Sequence, residues 1–144
     1  MSRRGGGVVQ AFPTGGVMLA KEARLRWSED QLKLVEKQLF EAARSFKQGP
    51  MPDSPFGVTE QNFADYRGAV LSVPVRYLGV SCVDFSDVIF RDGASINESD
   101  LTGCRLDRID MRNVFVRRSF SECSFIKAKL SGARVGREVI VGTW

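Results

Sequence analysis

The residue types that can do covalent or acid–base chemistry are few in this chain, and they exclude several classes of catalyst. The sequence of 144 residues contains three cysteines and no histidine. Without histidine there is no Ser-His-Asp or Cys-His arrangement, and no imidazole is present to hold zinc. The glycines at 5–7 lack the lysine and the serine or threonine of a phosphate-binding loop. We therefore expect no enzymatic activity, no metal site and no cofactor.

The cysteine count and the N-terminus indicate where the protein resides. An odd number of cysteines argues against a disulfide framework and favours a reducing compartment. Residues 1–7 carry charge and glycine without the apolar segment of a signal peptide. No apolar run reaches the length of a membrane span. We expect a cytoplasmic protein without a membrane span.

The charge balance is mildly basic, with a formal net charge of +4. Charged residues make up 26% of the chain and hydrophobic residues 43%, a composition typical of a globular domain. This basicity falls short of the dense lysine and arginine patches that nucleic-acid binders carry. We expect a protein partner with an acidic surface rather than a nucleic acid, and homo-oligomerisation stays open.

A five-residue repeat runs through the second half of the chain and determines what elements can form. Clear copies are Ala64–Gly68, Ser99–Gly103 and Ala128–Gly132, and the third residue of each, here called the centre, is large and apolar. The first residue of each copy is usually small or aliphatic. No α-helix has this period, and a two-residue strand alternation does not sustain it.

Equivalent positions of the repeat recur about every 20 residues, which predicts four fives to a turn. The centres then form four columns: Tyr66, Phe85, Leu106 and Phe125; Leu71, Phe90, Met111 and Leu130; Val75, Ile96, Val116 and Val135; Val80, Leu101 and Phe120. The smaller inward positions also align, with Ala64, Val83, Cys104 and Cys123 in one column. Two independent positions therefore give consistent columns.

This segment resembles the pentapeptide-repeat proteins, whose repeat is a small residue, Asp or Asn, Leu or Phe, and two variable residues. The resemblance covers roughly residues 64–137. It implies a mainly β fold, a short right-handed quadrilateral β-solenoid, here with an N-terminal amphipathic α-helix. Such a short stack needs caps at its ends.

The capping helix is predicted over residues 28–48. Ser28 and Gln31 fit a capping box at its start, and Gly49-Pro50 ends it. Its apolar stripe, the expected docking face, consists of Leu32, Val35, Leu39 and Phe46. Whether the helix caps its own solenoid or a neighbour's stays open. The remaining domains are a flexible N-terminal arm over 1–27, a Pro-rich linker over 49–63, and the solenoid with its C-terminal cap over 64–144.

Outward charges change sign along the repeat, with acids dominating before Leu101 and bases after Cys104. The columns predict ion pairs between layers, namely Asp84 with Arg105, Asp87 with Arg108, and Asp110 with Lys129. Basic residues near the C-terminal end are left without such partners. We therefore expect a binding surface for an acidic protein formed by Arg117, Arg118, Lys127, Arg134 and Arg137.

The three cysteines fall in two kinds of position. Cys104 and Cys123 are predicted to stack one above the other, pointing inward, at a Cα separation that a disulfide accepts. Free thiols that fill a narrow core are the preferred interpretation. Cys82 falls in an outward position and is the more plausible reactive thiol, although no histidine is present to activate it.

Three classes of function follow from these observations. The favoured one is a non-enzymatic protein-binding module, such as an immunity-like inhibitor, an adaptor or an assembly subunit. The resemblance implies a second, a DNA mimic that acts on type II topoisomerases, although such rods are longer and acidic. The third, an enzyme of unknown type, is the weakest because no reaction centre is visible.

Overall fold

The computed structural model describes residues 18–45, 47–91, 94–116, 120–135 and 138–139. Two helices come first, α1 (Ala20–Leu25) and α2 (Glu29–Ser45). Short strands follow: β1 (Gly49–Pro50), β2 (Ala64–Asp65), β3 (Val70–Leu71), β4 (Pro74–Arg76), β5 (Leu78–Ser81), β6 (Val83–Asp84), β7 (Ile89–Phe90), β8 (Ser95–Asn97), β9 (Asp100–Thr102), β10 (Phe115–Val116), β11 (Phe120–Ser121), β12 (Arg134–Val135) and β13 (Glu138–Val139). The predicted β-rich class is confirmed.

The strands form four sheets, and all neighbours pair in parallel except β12 and β13. The strand orders are β1-β5-β9-β11, β13-β12-β10-β8-β4, β2-β6 and β3-β7. From β2 to β12 each paired residue lies 19 to 21 positions from its partner, as Ala64 does from Val83, Val80 from Leu101, and Ile96 from Val116. The two outer pairings differ, since Gly49 of β1 lies 29 positions from Leu78 and β13 folds back directly onto β12. These pairings confirm the columns predicted from the repeat.

A left-handed residue stands two positions after nearly every centre. These residues have φ between 52° and 80°; they are Gly68, Tyr77, Cys82, Asp87, Glu98, Gly103, Arg108, Asn113, Glu122, Lys127 and Gly132. Most are not glycine, although the left-handed region disfavours other residues. The exception among the described positions follows Leu71, where the sequence has one residue fewer before the next centre. The chain therefore turns at a fixed point of each five-residue copy.

The centres form one continuous core that runs through all the layers of paired strands. Tyr66, Leu71, Leu106 and Val116 are fully buried, and the rings of Tyr66 and Phe85 lie 6.0 Å apart. The ring centroids of Phe120 and Phe125 lie 5.0 Å apart in a T-shaped arrangement, and both side chains are only partly buried. The same buried cluster includes Trp27 and the α2 residues Val35 and Leu39, so the helix and the paired strands share one core.

The prediction that the amphipathic helix is the N-terminal element is wrong, since α1 precedes it. Residues 20–27 were predicted to belong to a flexible arm, yet Ala23 is 1% and Trp27 7% exposed. The Trp27 ring stacks over Tyr66 at 6.1 Å and meets the Phe56 ring at 4.8 Å. Burial of this aromatic side chain orders the segment, and a search for long apolar stripes misses it.

The amphipathic helix begins where the sequence predicts and ends earlier. Ser28 and Gln31 form the capping box, with the Gln31 amide donating to Ser28 Oγ at 3.1 Å and the Ser28 amide donating to Gln31 Oε1 at 2.9 Å. The helix ends at Ser45, not at residue 48. Gly49–Pro50, at the start of the predicted linker, pairs in parallel with Leu78–Gly79 as strand β1.

Non-repeat segments cover the first layer on each of its sides. β1 adds to β5, Val58 forms an antiparallel bridge to Ala64, and α2 packs against β3 and β4. At the other end, β13 turns back antiparallel onto β12. At both ends, therefore, the parallel strands of the repeat are bordered by segments that do not continue the repeat.

Candidate functional site

Of the five basic residues predicted to form a binding surface, two are described, and both are exposed. Lys127 occupies a left-handed corner with φ of 56°, and Arg134 begins β12. Within the described ranges neither side chain takes part in an ion pair. Arg117, Arg118 and Arg137 lie outside the described residues, so their part of the prediction stays a prediction.

Apolar side chains accompany these bases, and the sequence argument did not identify them. Ile126 is 62% exposed beside Lys127, and Phe115 is 37% exposed and pairs in register with Arg134. Together with the exposed Lys129, they are called the basic rim, defined as Phe115, Ile126, Lys127, Lys129 and Arg134. The sequence contains a sign that Ile126 is exposed. Ile126 directly follows a centre, and in the earlier layers the polar residues Arg67, Ser86 and Asp107 occupy that position.

Most of the described charged residues of the repeat that lie outside the basic rim form ion pairs, although only one predicted pair is found. Arg108 donates to both carboxylate oxygens of Asp87, at 2.9 and 3.1 Å, which confirms that pair. Arg105 instead lies 3.8 Å from Asp107, and Arg112 donates to Asp110 at 2.8 and 2.9 Å.

The two wrong pairs share one physical cause. Side chains two residues apart on an extended segment point to the same side, so a neighbour on the same strand is closer than one in the next layer. Asp110 and Lys129 still form a parallel bridge. Burial raises the pKa of Asp110, but the hydrogen bonds from Arg112, assisted by the charge of Lys129, lower it overall.

An Asp65-centred cluster fastens the helices to the first layer. Asp65 accepts hydrogen bonds from Arg26 at 2.5 and 2.9 Å and from Arg67 at 2.9 Å to each oxygen. Arg26 also lies 4.0 Å from the centre of the Phe56 ring, and the Trp27 indole donates to the Arg67 carbonyl at 2.8 Å. Both oxygens of the Asp65 carboxylate are thus bound within the protein, which indicates a structural role, although the buried Arg26 Nε has no hydrogen-bond partner.

The docking face predicted for α2 meets the core. Val35 and Leu39 are buried, and Leu32 is partly buried against the same core; Phe46 lies outside the described residues. Beside this face, the Glu36 carboxylate accepts hydrogen bonds from the Ser72 amide at 2.7 Å and its hydroxyl at 2.8 Å. This contact fixes the helix against the turn that follows β3.

An open depression of about 740 Å³ lies next to that contact. Its lining residues are Ser72, Ile89, Phe90, Arg91, Asp110, Arg112 and Asn113. Asp110 and Arg112 pair with each other, and Ser72 is bound to Glu36. Three of the polar side chains in the depression are therefore already bound by protein partners.

The cysteines occupy the two kinds of position expected of them. Cys104 is buried, Cys123 is partly buried and Cys82 is exposed, and all three are free thiols. The described residues hold no group of three or more metal-ligating side chains. None of the helices described is both long and apolar enough to cross a membrane.

The basic rim, the Asp65-centred cluster and the paired thiols are thus the chemically distinctive features of the described chain. None of the protein-family models, curated proteins or solved structures compared with this chain matches it.

Proposed function

We propose that this chain is a non-enzymatic protein-binding module built as a pentapeptide-repeat solenoid, right-handed and four-sided. Two observations support the architecture. Strand partners recur at 19 to 21 residues in all four sheets. Left-handed residues recur two positions after the centres, where a four-sided path needs its corners. A rigid stack of this kind holds outward side chains in fixed positions, which suits recognition of a partner surface.

The observation that carries the binding function is the contrast between the basic rim and the earlier layers. Asp84, Asp87 and Asp107 are each at most 5% exposed and bound by neighbouring donors. The rim instead exposes Lys127, Lys129 and Arg134, none of which forms an ion pair among the described residues, together with the apolar Phe115 and Ile126. Mixed apolar and cationic surface of this kind complements an acidic protein with apolar side chains among its carboxylates.

Affinity purification with matched charge reversals tests this proposal. The full chain, a rim variant carrying Lys127→Glu and Arg134→Glu, and a control carrying Lys33→Glu and Lys37→Glu are immobilised. The control removes equal charge from exposed positions on α2. Extract from cells that express the protein is passed over each, and bound proteins are quantified by mass spectrometry.

We expect an acidic protein that the wild type and the helix control retain equally. Its recovery on the rim variant should fall at least about tenfold, because two reversed charges now repel its carboxylates. Retention should also weaken as salt is raised. If every retained protein binds the rim variant as well as the control, the basic rim is not the binding surface.

The two other functions give different results in simple assays. A topoisomerase-directed DNA mimic would change supercoiling by purified gyrase, and we expect no change because the exposed surface of the last layer is basic. An enzyme would lose a measurable turnover through one polar substitution. The binding module predicts no such substitution.

A further inference from the structure

Cys104 and Cys123 lie side by side in neighbouring layers. Their successors Arg105 and Ser124 form a parallel bridge, and the Ser124 amide donates to the Cys104 carbonyl at 3.1 Å. Adjacent strands lie about 4.8 Å apart, which falls within the Cα separations that disulfides accept. The backbone therefore already holds the two residues at bonding range.

The two thiols also have the same environment, shifted by one layer. Cys104 Sγ contacts the Val80 and Thr102 carbonyls at 3.5 and 3.6 Å. Cys123 Sγ contacts the Leu101 and Ser121 carbonyls at 3.6 and 3.4 Å. Because Val80 pairs with Leu101, these equivalent contacts orient both side chains the same way.

The two thiols differ in solvent exposure and in pKa. Cys104 is 1% exposed, whereas Cys123 is only partly buried. The adjacent Cys104 thiol lowers the pKa of the Cys123 thiol to about 6, against the effect of burial. The adjacent Cys123 thiol and burial together raise the pKa of Cys104. The more accessible sulfur thus has the lower pKa, as expected of the more reactive cysteine of a pair.

We propose that Cys104 and Cys123 form an oxidisable dithiol site, which a peroxide-class oxidant converts to a disulfide between the two layers. The Cys123 thiolate attacks one peroxide oxygen, the O–O bond breaks, and the leaving hydroxide takes up a proton to give water. Cys104 sulfur then attacks the Cys123 sulfenic acid, its proton leaves with the displaced hydroxide as a second water, and the S–S bond forms. The two sulfurs lose two electrons, and peroxide gains them.

The consequence is a covalent link between the last layer and the one before it. Cys123 stands three residues before Ile126, so the link holds the layer that carries the basic rim. The proposal does not rest on the binding function. A chain that binds no partner would still contain the dithiol site.

Hydrogen peroxide and the purified full chain test the proposal, and the main comparison needs no core substitution. The wild type and Cys82→Ser are treated with graded peroxide, excess oxidant is removed, and free thiols, intact mass and disulfide-linked peptides are measured. Cys82 is exposed, so its replacement leaves the core unchanged. Dithiothreitol is then added to test reversal.

We expect both proteins to lose two thiols and the mass of two hydrogen atoms, with the peptides of Cys104 and Cys123 joined. Dithiothreitol should restore both thiols, and Cys104→Ser should accumulate a Cys123 sulfenic acid that dimedone traps. A disulfide that includes Cys82 would overturn the proposal. So would Cys104 and Cys123 that stay reduced at a peroxide concentration that oxidises Cys82 in the wild type.

Discussion

Asp65 is the residue through which the N-terminal helices and the repeat are joined by charge. Its side chain is 5% exposed and accepts from two guanidinium groups, of which Arg26 is itself 9% exposed. Arginine holds such a carboxylate with two parallel bonds, which fixes orientation as well as distance. Arg67 follows Asp65 by two residues, whereas Arg26 is remote in the sequence. Nothing in a linear pattern links residues 39 positions apart.

Replacing Asp65 by alanine should be costly, because it leaves two arginines facing each other without their carboxylate. Removal of one partner from a buried ion pair destabilises by about 3–5 kcal/mol. Urea unfolding followed by circular dichroism measures the loss. Asp110→Ala is the matched control, since it removes a carboxylate from the exposed pair with Arg112. Equal losses in the two variants would show that burial of the Asp65 cluster contributes nothing.

Acid stability should depend on the same residue. Burial raises the pKa of Asp65, but the hydrogen bonds from Arg67 and Arg26 outweigh burial and lower it from 3.8 to about 2. A pKa lower in the folded than in the unfolded chain stabilises the fold above pH 3.8, and this contribution is lost between about pH 4 and pH 2. The urea midpoint of the wild type should fall more steeply across this window than that of Asp65→Ala. Parallel curves would contradict the assignment.

The short helix α1 is the element that the sequence argument missed, and Gly68 explains how it docks. Gly68 has φ of +80°, and a Cβ built on it would lie 2.5 Å from the backbone carbon of Ala23. The helix backbone thus rests directly on a corner of the first layer. Capping chemistry predicted the start of α2 because Ser28 and Gln31 are close in sequence. The position of α1 depends on the close approach of Ala23 to Gly68, 45 positions away in the sequence, which no local sequence pattern predicts.

Gly68→Ala should therefore displace α1 as well as strain the corner. Gly103→Ala is the matched control, because Gly103 is also left-handed, with φ of +62°, yet its nearest neighbour is Cys82 Sγ at 3.9 Å. The control should lose about 1–2 kcal/mol, the cost of a side chain in the left-handed region, and Gly68→Ala more. Unfolding in urea gives both values. Trp27 fluorescence in a Trp144→Phe background should shift only in Gly68→Ala, and a shift in both variants would contradict direct docking.

At the scale of the whole molecule, the strand registers could be predicted because the five-residue repeat places equivalent residues at nearly regular intervals along the chain. Tyr66, Phe85 and Leu106 could be aligned as centres of the repeat, although each step departs from 20 residues by one. Ion pairs and exposed positions were harder to predict, because each outward side chain has possible partners both in its own layer and in the neighbouring one. Arg105 lies near Asp107 in its own layer, whereas Arg108 binds Asp87 in the neighbouring layer.

If the proposed solenoid is correct, a whole layer can be added without breaking the register. Inserting a second copy of residues 84–104 after Cys104 places the copied Cys104 between Cys104 and Cys123 in their column. We expect cooperative unfolding with a free energy no lower than that of the wild type, since each layer adds its own interface. A duplication of 84–101, three residues shorter, should shift every following centre and prevent folding. If both duplications fold equally well, the layers are not the unit of the structure.

The covering of the first layer limits how this protein can polymerise. Layers that stack by parallel in-register pairing could in principle continue from one copy to the next, as strands do in a fibre. Indefinite growth of that kind needs two complementary open ends, because each added copy must leave a new end like the one it covered. Here β1, the bridge of Val58 and helix α2 already occupy the edges of the first layer. Pro50, at the outer edge of β1, has no amide hydrogen to offer a further strand. Closing this one end is sufficient to prevent head-to-tail fibres, whatever binds at the other.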